Sequence, residues 1–300
     1  MMVVATRAKT RSLFCTLPED DASVAVKMHY LEAGKGDPIV FVHGMPTHSY
    51  LWRNILPKCA PYGRCIALDL MGMGASSKPD SAYTVFDHID YFSAFMRVLD
   101  LQNVTLVVHG WGSVIALGYA VRHPERIKAV ALYESHLRST SHWDMLSLPV
   151  QEFASLLSSP LTAYRAIIKH NYLVEKLLPS GVMRRLSEAE MGAYRKPFPD
   201  AASRRLLWQY AQELPLGGGQ TPVTQLIDRY SNWMCTTDIP KLLLYAVPGF
   251  ITTIDTVVWA KSNFSELSLY AMDHALHFAQ ETNPDMFADG LVEWLQRMAP

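Results

Sequence analysis

The sequence predicts an α/β fold: a mostly parallel sheet flanked by helices, with a helical lid inserted late in the chain. Three observations predict it. Short apolar runs recur without polar alternation, the pattern of strands covered on both faces. Helical segments separate those runs, as crossovers between parallel strands require. The rhythm then stops between about Ser139 and Asp238 and resumes afterwards. The chain has 300 residues, 49% of them hydrophobic. That is enough for a large core, and α/β chains of this size often form one domain with an insertion.

The elements follow in order. Residues 24–31 alternate like an early strand, and residues 38–42 form a short buried strand ending at His43-Gly44. Residues 64–69 make another, followed by the turn residues Gly72 and Gly74. The strand at 104–108 runs into His109-Gly110-Trp111-Gly112-Ser113, which reads as a sharp turn into a helix. Residues 127–132 follow that helix, and residues 241–245 and 266–270 supply two later strands. In the last helix Asn283 is the cap, Pro284 takes the first position, and Met286, Leu291, Trp294 and Leu295 make the apolar stripe.

The interruption divides the chain into a core, residues 1–138 and 239–300, and a lid, residues 139–238. The lid is rich in aromatics, among them Trp143, Phe153, Tyr164, Tyr172, Trp208, Tyr210, Tyr230 and Trp233. Most are expected to pack it on the sheet and a minority to touch ligand. Gly217-Gly218-Gly219 reads as a loop tip. A lid over the carboxyl edge of an open sheet encloses a pocket for a largely apolar small molecule.

Composition narrows the function further. The formal net charge is -1 with no dense basic patch, which argues against a nucleic-acid partner. No apolar run approaches the roughly 18 residues of a membrane span, and residues 1–9 hold no apolar signal core. Cys15, Cys59, Cys65 and Cys235 show no CxxC pair and no metal spacing. Reduced thiols in a cytoplasmic protein are the expectation, with no metal and no organic cofactor. Oligomeric state is not legible.

At residues 43–53, His-Gly-Met-Pro-Thr-His-Ser-Tyr-Leu-Trp-Arg, the chain resembles the haloalkane dehalogenases and the related coelenterazine luciferase. Matching stretches continue at residues 69–79, 111–113, 186–191, 248–253 and 276–281, so the resemblance runs from about residue 24 to the C-terminus. It implies an α/β-hydrolase fold with an eight-stranded sheet. In that family an Asp at the turn attacks carbon, a His oriented by an acid activates water, and a Trp and an Asn hold the leaving halide. Carried over, the base is His277, the orienting acid Glu134, and the Trp is Trp111. Gly110 stands at the nucleophile position, which is therefore vacant, and Met45 stands at the Asn position. The Trp-Pro pair of those enzymes has no counterpart around residues 208–215.

Glycine has no side chain with which to attack. His277 beside Glu134 remains a general acid–base pair. The backbone N–H groups of Met45 and Trp111 remain available as an oxyanion hole. The leading expectation is accordingly non-covalent lyase, isomerase or cyclase chemistry on an apolar small molecule, including carbon–carbon bond formation in natural-product biosynthesis, with dehalogenation disfavoured. A first alternative is hydrolysis of an ester, epoxide or haloalkane by water that His277 activates. A second is a ligand-binding protein without turnover. Packing or turn roles account for His43, His109, His274, Ser113 and Asp69. Cys59 and Cys65 are read as peripheral.

Overall fold

A computed structural model describes residues 9–18, 26–140, 142–216 and 219–298. Eight strands form one sheet: β1 (Arg11–Leu17), β2 (Val26–Ala33), β3 (Pro38–Val42), β4 (Arg64–Leu68), β5 (Val104–Gly110), β6 (Ile127–Ser135), β7 (Lys241–Ala246) and β8 (Leu267–Met272). Their spatial order is β1-β2-β4-β3-β5-β6-β7-β8. The pairs β1/β2 and β2/β4 are antiparallel, and the rest are parallel. Every residue of β3 and of β5 is buried, as strands covered on both faces must be.

Two expectations need amendment. The first two residues of the expected early strand lie outside the described residues, and β2 itself continues to Ala33. Strand β1 has no counterpart in the sequence reading. It is an edge strand with exposed residues on its outer positions, so its apolar signal is diluted.

The helices that cover the sheet are α1 (Val85–Val98), α2 (Trp111–Ala120), α3 (Leu148–Leu157), α4 (Glu188–Arg195), α5 (Arg205–Glu213), α6 (Pro222–Thr236), α7 (Ile254–Asn263) and α8 (Pro284–Arg297), with shorter turns between them. Thr84 caps α1 in a reciprocal box with Asp87, and Asn283 caps α8 by accepting from the Met286 N–H. Helix α2 is buried along its whole length because it lies between the sheet, α1 and α6. No helix among the described residues is long and apolar enough to cross a membrane.

Between β6 and β7 the described chain forms helices and turns only. Its aromatics divide. Phe153, Tyr210 and Tyr230 are buried and Tyr172, Trp208 and Trp233 pack partly buried against the core, as expected of most of these rings, whereas Trp143 and Tyr164 are exposed. Trp143 begins a short helical turn, and Tyr164 ends a short helix with its ring edge-on to Trp208 at 5.5 Å. Gly217 and Gly218 lie outside the described residues. The helical insertion is tied to the core through Glu281, fully buried just before α8. This carboxylate accepts from Arg53 (2.8 Å) and Arg184 (2.8 Å), and from the Tyr194 hydroxyl of α4 (2.5 Å). A buried carboxylate is tolerated only with such saturation.

All four cysteines are free thiols. Cys59 and Cys65 are fully buried in the core and line no part of the cavity over the sheet, so they are peripheral to it as expected; burial pushes the Cys59 thiol up to about 12 and raises that of Cys65 as well. Neither is a reactive thiol, since only the thiolate is nucleophilic.

Candidate active site

The site stands at the carboxyl ends of β3, β5 and β6, where ligands of open α/β sheets bind. Three loops meet there, and backbone contact brings them together. An ideal Cβ on Gly44, after β3, would lie 3.0 Å from both the His109 carbonyl oxygen and the Trp111 nitrogen. One on Gly112 would lie 2.4 Å from the His43 carbonyl oxygen. Only glycine permits the two turns to approach so closely.

Gly110 ends β5 and caps α2 with φ 53 and ψ -130. It is the sharp strand-to-helix turn that the sequence indicates, held in a left-handed region that glycine enters without steric cost. A Cβ here would meet no clash. Its nearest neighbours would be the Gly44 Cα at 3.5 Å and the His277 Nε2 at 3.6 Å. The imidazole therefore faces the space where a side chain of residue 110 would begin.

His277 lies in the loop between β8 and the terminal helices. Its Nδ1 is 2.8 Å from Glu134 Oε2, and Glu134 is buried. Glu134 belongs to β6, which extends to Ser135, three residues beyond the expected end of the strand, and has φ 46. Its carboxylate accepts backbone N–H groups from Phe250 (3.0 Å), Ile251 (2.8 Å) and Thr252 (3.4 Å). Those donors hold the carboxylate in place, so that it accepts from Nδ1–H and leaves the Nε2 lone pair free. The ring is sandwiched by Phe250, parallel at 5.7 Å, and Phe278, edge-on at 4.6 Å.

His43 and His109 have structural partners. His43 Nε2 accepts from the Leu70 N–H at 3.0 Å, and burial pushes its pKa down to about 4. His109 Nε2 donates to the His277 carbonyl at 2.8 Å. Ser113 Oγ donates to the Gly110 carbonyl at 2.7 Å and accepts from the His136 N–H at 3.0 Å. Asp69 accepts from the Ser49 and Ala75 N–H groups and pairs with His29. His274 sits in the loop before His277 with φ 49.

A cavity opens over His277. Met45 and Tyr210 line it, with Phe153, Phe250, His136 and Arg138 further along the wall. Trp111 stands behind the wall, its indole covered edge-on by Tyr210 at 5.1 Å and by His136 at 5.6 Å. Its backbone nitrogen still stands at the Gly44 turn. Sequence reasoning missed His136 and Arg138. Their only signal is position: they follow Glu134 by two and four residues at a strand's carboxyl edge. Burial pushes the His136 imidazole down to about 3, so it is a neutral polar group in the wall. Among the described residues no three His, Cys, Asp or Glu gather in a way that would hold a metal ion.

Comparison with known proteins places this geometry in context. Residues 37–284 match the family model described as alpha/beta hydrolase fold. A haloalkane dehalogenase of Sphingobium indicum strain B90A is 38% identical over 285 residues, covering 91% of this chain and 93% of the relative. One from Agrobacterium fabrum is 36% identical, covering 93% of this chain and 92% of the relative. The crystal structure of the haloalkane dehalogenase DbeA from Bradyrhizobium elkani superposes with a TM-score of 0.90 at 30% identity, covering 97% of this chain and 99% of that one. That of DatA from Agrobacterium tumefaciens gives 0.88 at 34%, covering 96% and 97%.

These findings correct the expected chemistry. The sequence reading favoured a lyase, isomerase or cyclase and set dehalogenation aside. Relatives 35–38% identical over about nine-tenths of the chain are instead hydrolases of the haloalkane dehalogenase type. Two positions, Gly110 and Met45, do not decide the reaction by themselves. Hydrolysis needs a base and room for water beside it, and neither of those positions removes the base.

Proposed function

This chain belongs to the alpha/beta hydrolase fold family, among proteins like the haloalkane dehalogenases, and on that premise we propose that it is a hydrolase whose nucleophile is water activated by His277. The observation that carries the reading is the relation of His277 Nε2 to Gly110, where a first side-chain atom would stand 3.6 Å away. The family's nucleophilic Asp is lacking at that position, and a water molecule takes the place of its carboxylate.

In this mechanism Glu134 holds Nδ1–H, so Nε2 is the acceptor. Nε2 takes a proton from water as the water oxygen attacks the electrophilic carbon of a haloalkane, epoxide or ester. The bond from that carbon to halide or oxygen breaks, and its electron pair leaves with the departing atom. The backbone N–H groups of Met45 and Trp111 receive negative charge that develops opposite the attack. The imidazolium, steadied by Glu134, returns its proton to the leaving group or to solvent. No bond between enzyme and substrate forms. Residues 139–238 act as the lid that closes the cavity, over a core of residues 1–138 and 239–300.

The test is one turnover with enzyme in excess in water enriched in heavy oxygen, using a panel of one haloalkane, one epoxide and one ester. Product labelled from the first turnover is the expected result. Unlabelled oxygen in that first product means that a protein carboxylate attacked, and the reading fails. His277→Ala is expected to lower turnover by about three orders of magnitude or more.

A further inference from the structure

Among the cavity's wall groups, Arg138 has no task in this mechanism. It lies four residues beyond Glu134 and lines the same cavity as His277. Its guanidinium Nε is buried and has no hydrogen-bond partner, although buried donors are nearly always paired. No ion pair forms between this side chain and a described carboxylate. Asp255 of α7 acts on it only through space. Instead the guanidinium rests over the Trp259 ring, 5.3 Å from its centroid.

The surroundings make this unusual. Most of the wall is apolar, with Met145, Leu146, Pro149, Val150 and Leu216 near the aromatic residues already named. The buried Nε lacks the acceptor that water would otherwise supply, and an anion held against the guanidinium would supply one. The other polar wall residues are already engaged or neutral. Thr140 Oγ1 donates to the Pro215 carbonyl at 2.8 Å, and His136 carries no charge. Glu134 itself is occupied by three backbone N–H groups and the imidazole.

We propose that Arg138 binds a carboxylate on the substrate, so that the enzyme acts on apolar molecules carrying an acid group at the end remote from the reacting carbon. A planar fork of N–H donors matches a carboxylate in two parallel hydrogen bonds, and a single guanidinium neutralises one unit of charge. The Trp259 ring, 5.3 Å from the guanidinium, holds it at the wall by a cation–π contact. This assignment rests on the hydrolytic reading of the same cavity, but its test does not require turnover.

Hexanoate and hexanamide serve as probes, nearly equal in size and differing in charge. Calorimetric titration of the full chain is expected to show hexanoate binding on the order of tenfold to a hundredfold more tightly, the range of one charge-assisted pair. Arg138→Met is expected to bind both equally with hexanamide affinity unchanged, and Arg138→Lys to keep part of the preference. His277→Ala is expected to keep all of it. Equal binding by the unaltered protein overturns the proposal, as does a preference that survives in Arg138→Met or disappears in His277→Ala. Turnover persisting in His277→Ala alongside an intact preference would count against the activated-water mechanism and leave the carboxylate site standing.

Discussion

The Nε2 of His109 donates to the carbonyl oxygen of His277 at 2.8 Å, so the strand that ends in the glycine turn also holds the loop that carries the imidazole. The two rings lie 4.6 Å apart, and Tyr133 of β6 fastens the neighbouring Leu276 carbonyl from the other side. The distance between Gly110 and Nε2 is thus set by hydrogen bonds from two adjacent central strands.

Removing one of these anchors is expected to disturb catalysis more than binding. In His109→Phe the ring volume is kept and the donor is lost, so the His277 loop gains freedom. The turnover number is expected to fall about tenfold to a hundredfold with KM changed little, because small displacements of a base are costly. Steady-state kinetics on the responsive member of the substrate panel decide it. A matched rise in KM with unchanged turnover number contradicts the anchoring role.

Gly110→Asp is expected to fold. The nearest neighbours of an added Cβ lie at 3.5–3.8 Å, an ordinary contact. The left-handed backbone at φ 53 costs a side chain about 1–3 kcal/mol, seen as a melting temperature lower by several degrees. The new carboxylate occupies the water's place. Mass spectrometry of the quenched single turnover on a haloalkane is expected to find an alkyl adduct on residue 110. Unchanged turnover without an adduct would show that the vacant space is irrelevant.

Acid is expected to destabilise the fold through buried imidazoles. Burial holds His43 and His88 at about 4 and His136 at about 3. In the unfolded chain each returns to its ordinary value near 6.5. As pH falls below that value the unfolded state takes up protons that the native state refuses. Stability is therefore full above about 6.5 and is lost toward pH 4, by about 1.4 kcal/mol per pH unit for each such histidine. His88 has both ring nitrogens buried and unpaired. His88→Leu is expected to reduce the slope of urea-unfolding free energy between pH 6.5 and 4.5 by one proton. An identical slope in the variant removes His88 from the account.

Much of this was legible locally. The runs at residues 38–42 and 104–108 are apolar without alternation because their strands are covered on both faces, and both became buried strands. Asn283 and Pro284 announced the last helix because a cap and a first-turn proline act on their own backbone. Strand β1 escaped notice because an edge strand carries a weaker pattern. His136 and Arg138 escaped because nothing in their neighbours distinguishes a wall residue from a loop residue.

The sequence by itself determined the order of strands and helices, the bare turn at residue 110, and the pairing of a histidine with an acid, since each is written in nearby side chains or in a resemblance spanning the chain. Only the tertiary structure decided that Nε2 looks into the space above Gly110 and that an unpaired guanidinium shares its cavity. The physical reason is distance along the chain. Residues 45, 110, 134–138 and 277 meet because β3, β5 and β6 lie side by side with their carboxyl ends together, and that juxtaposition is a property of the sheet as a whole.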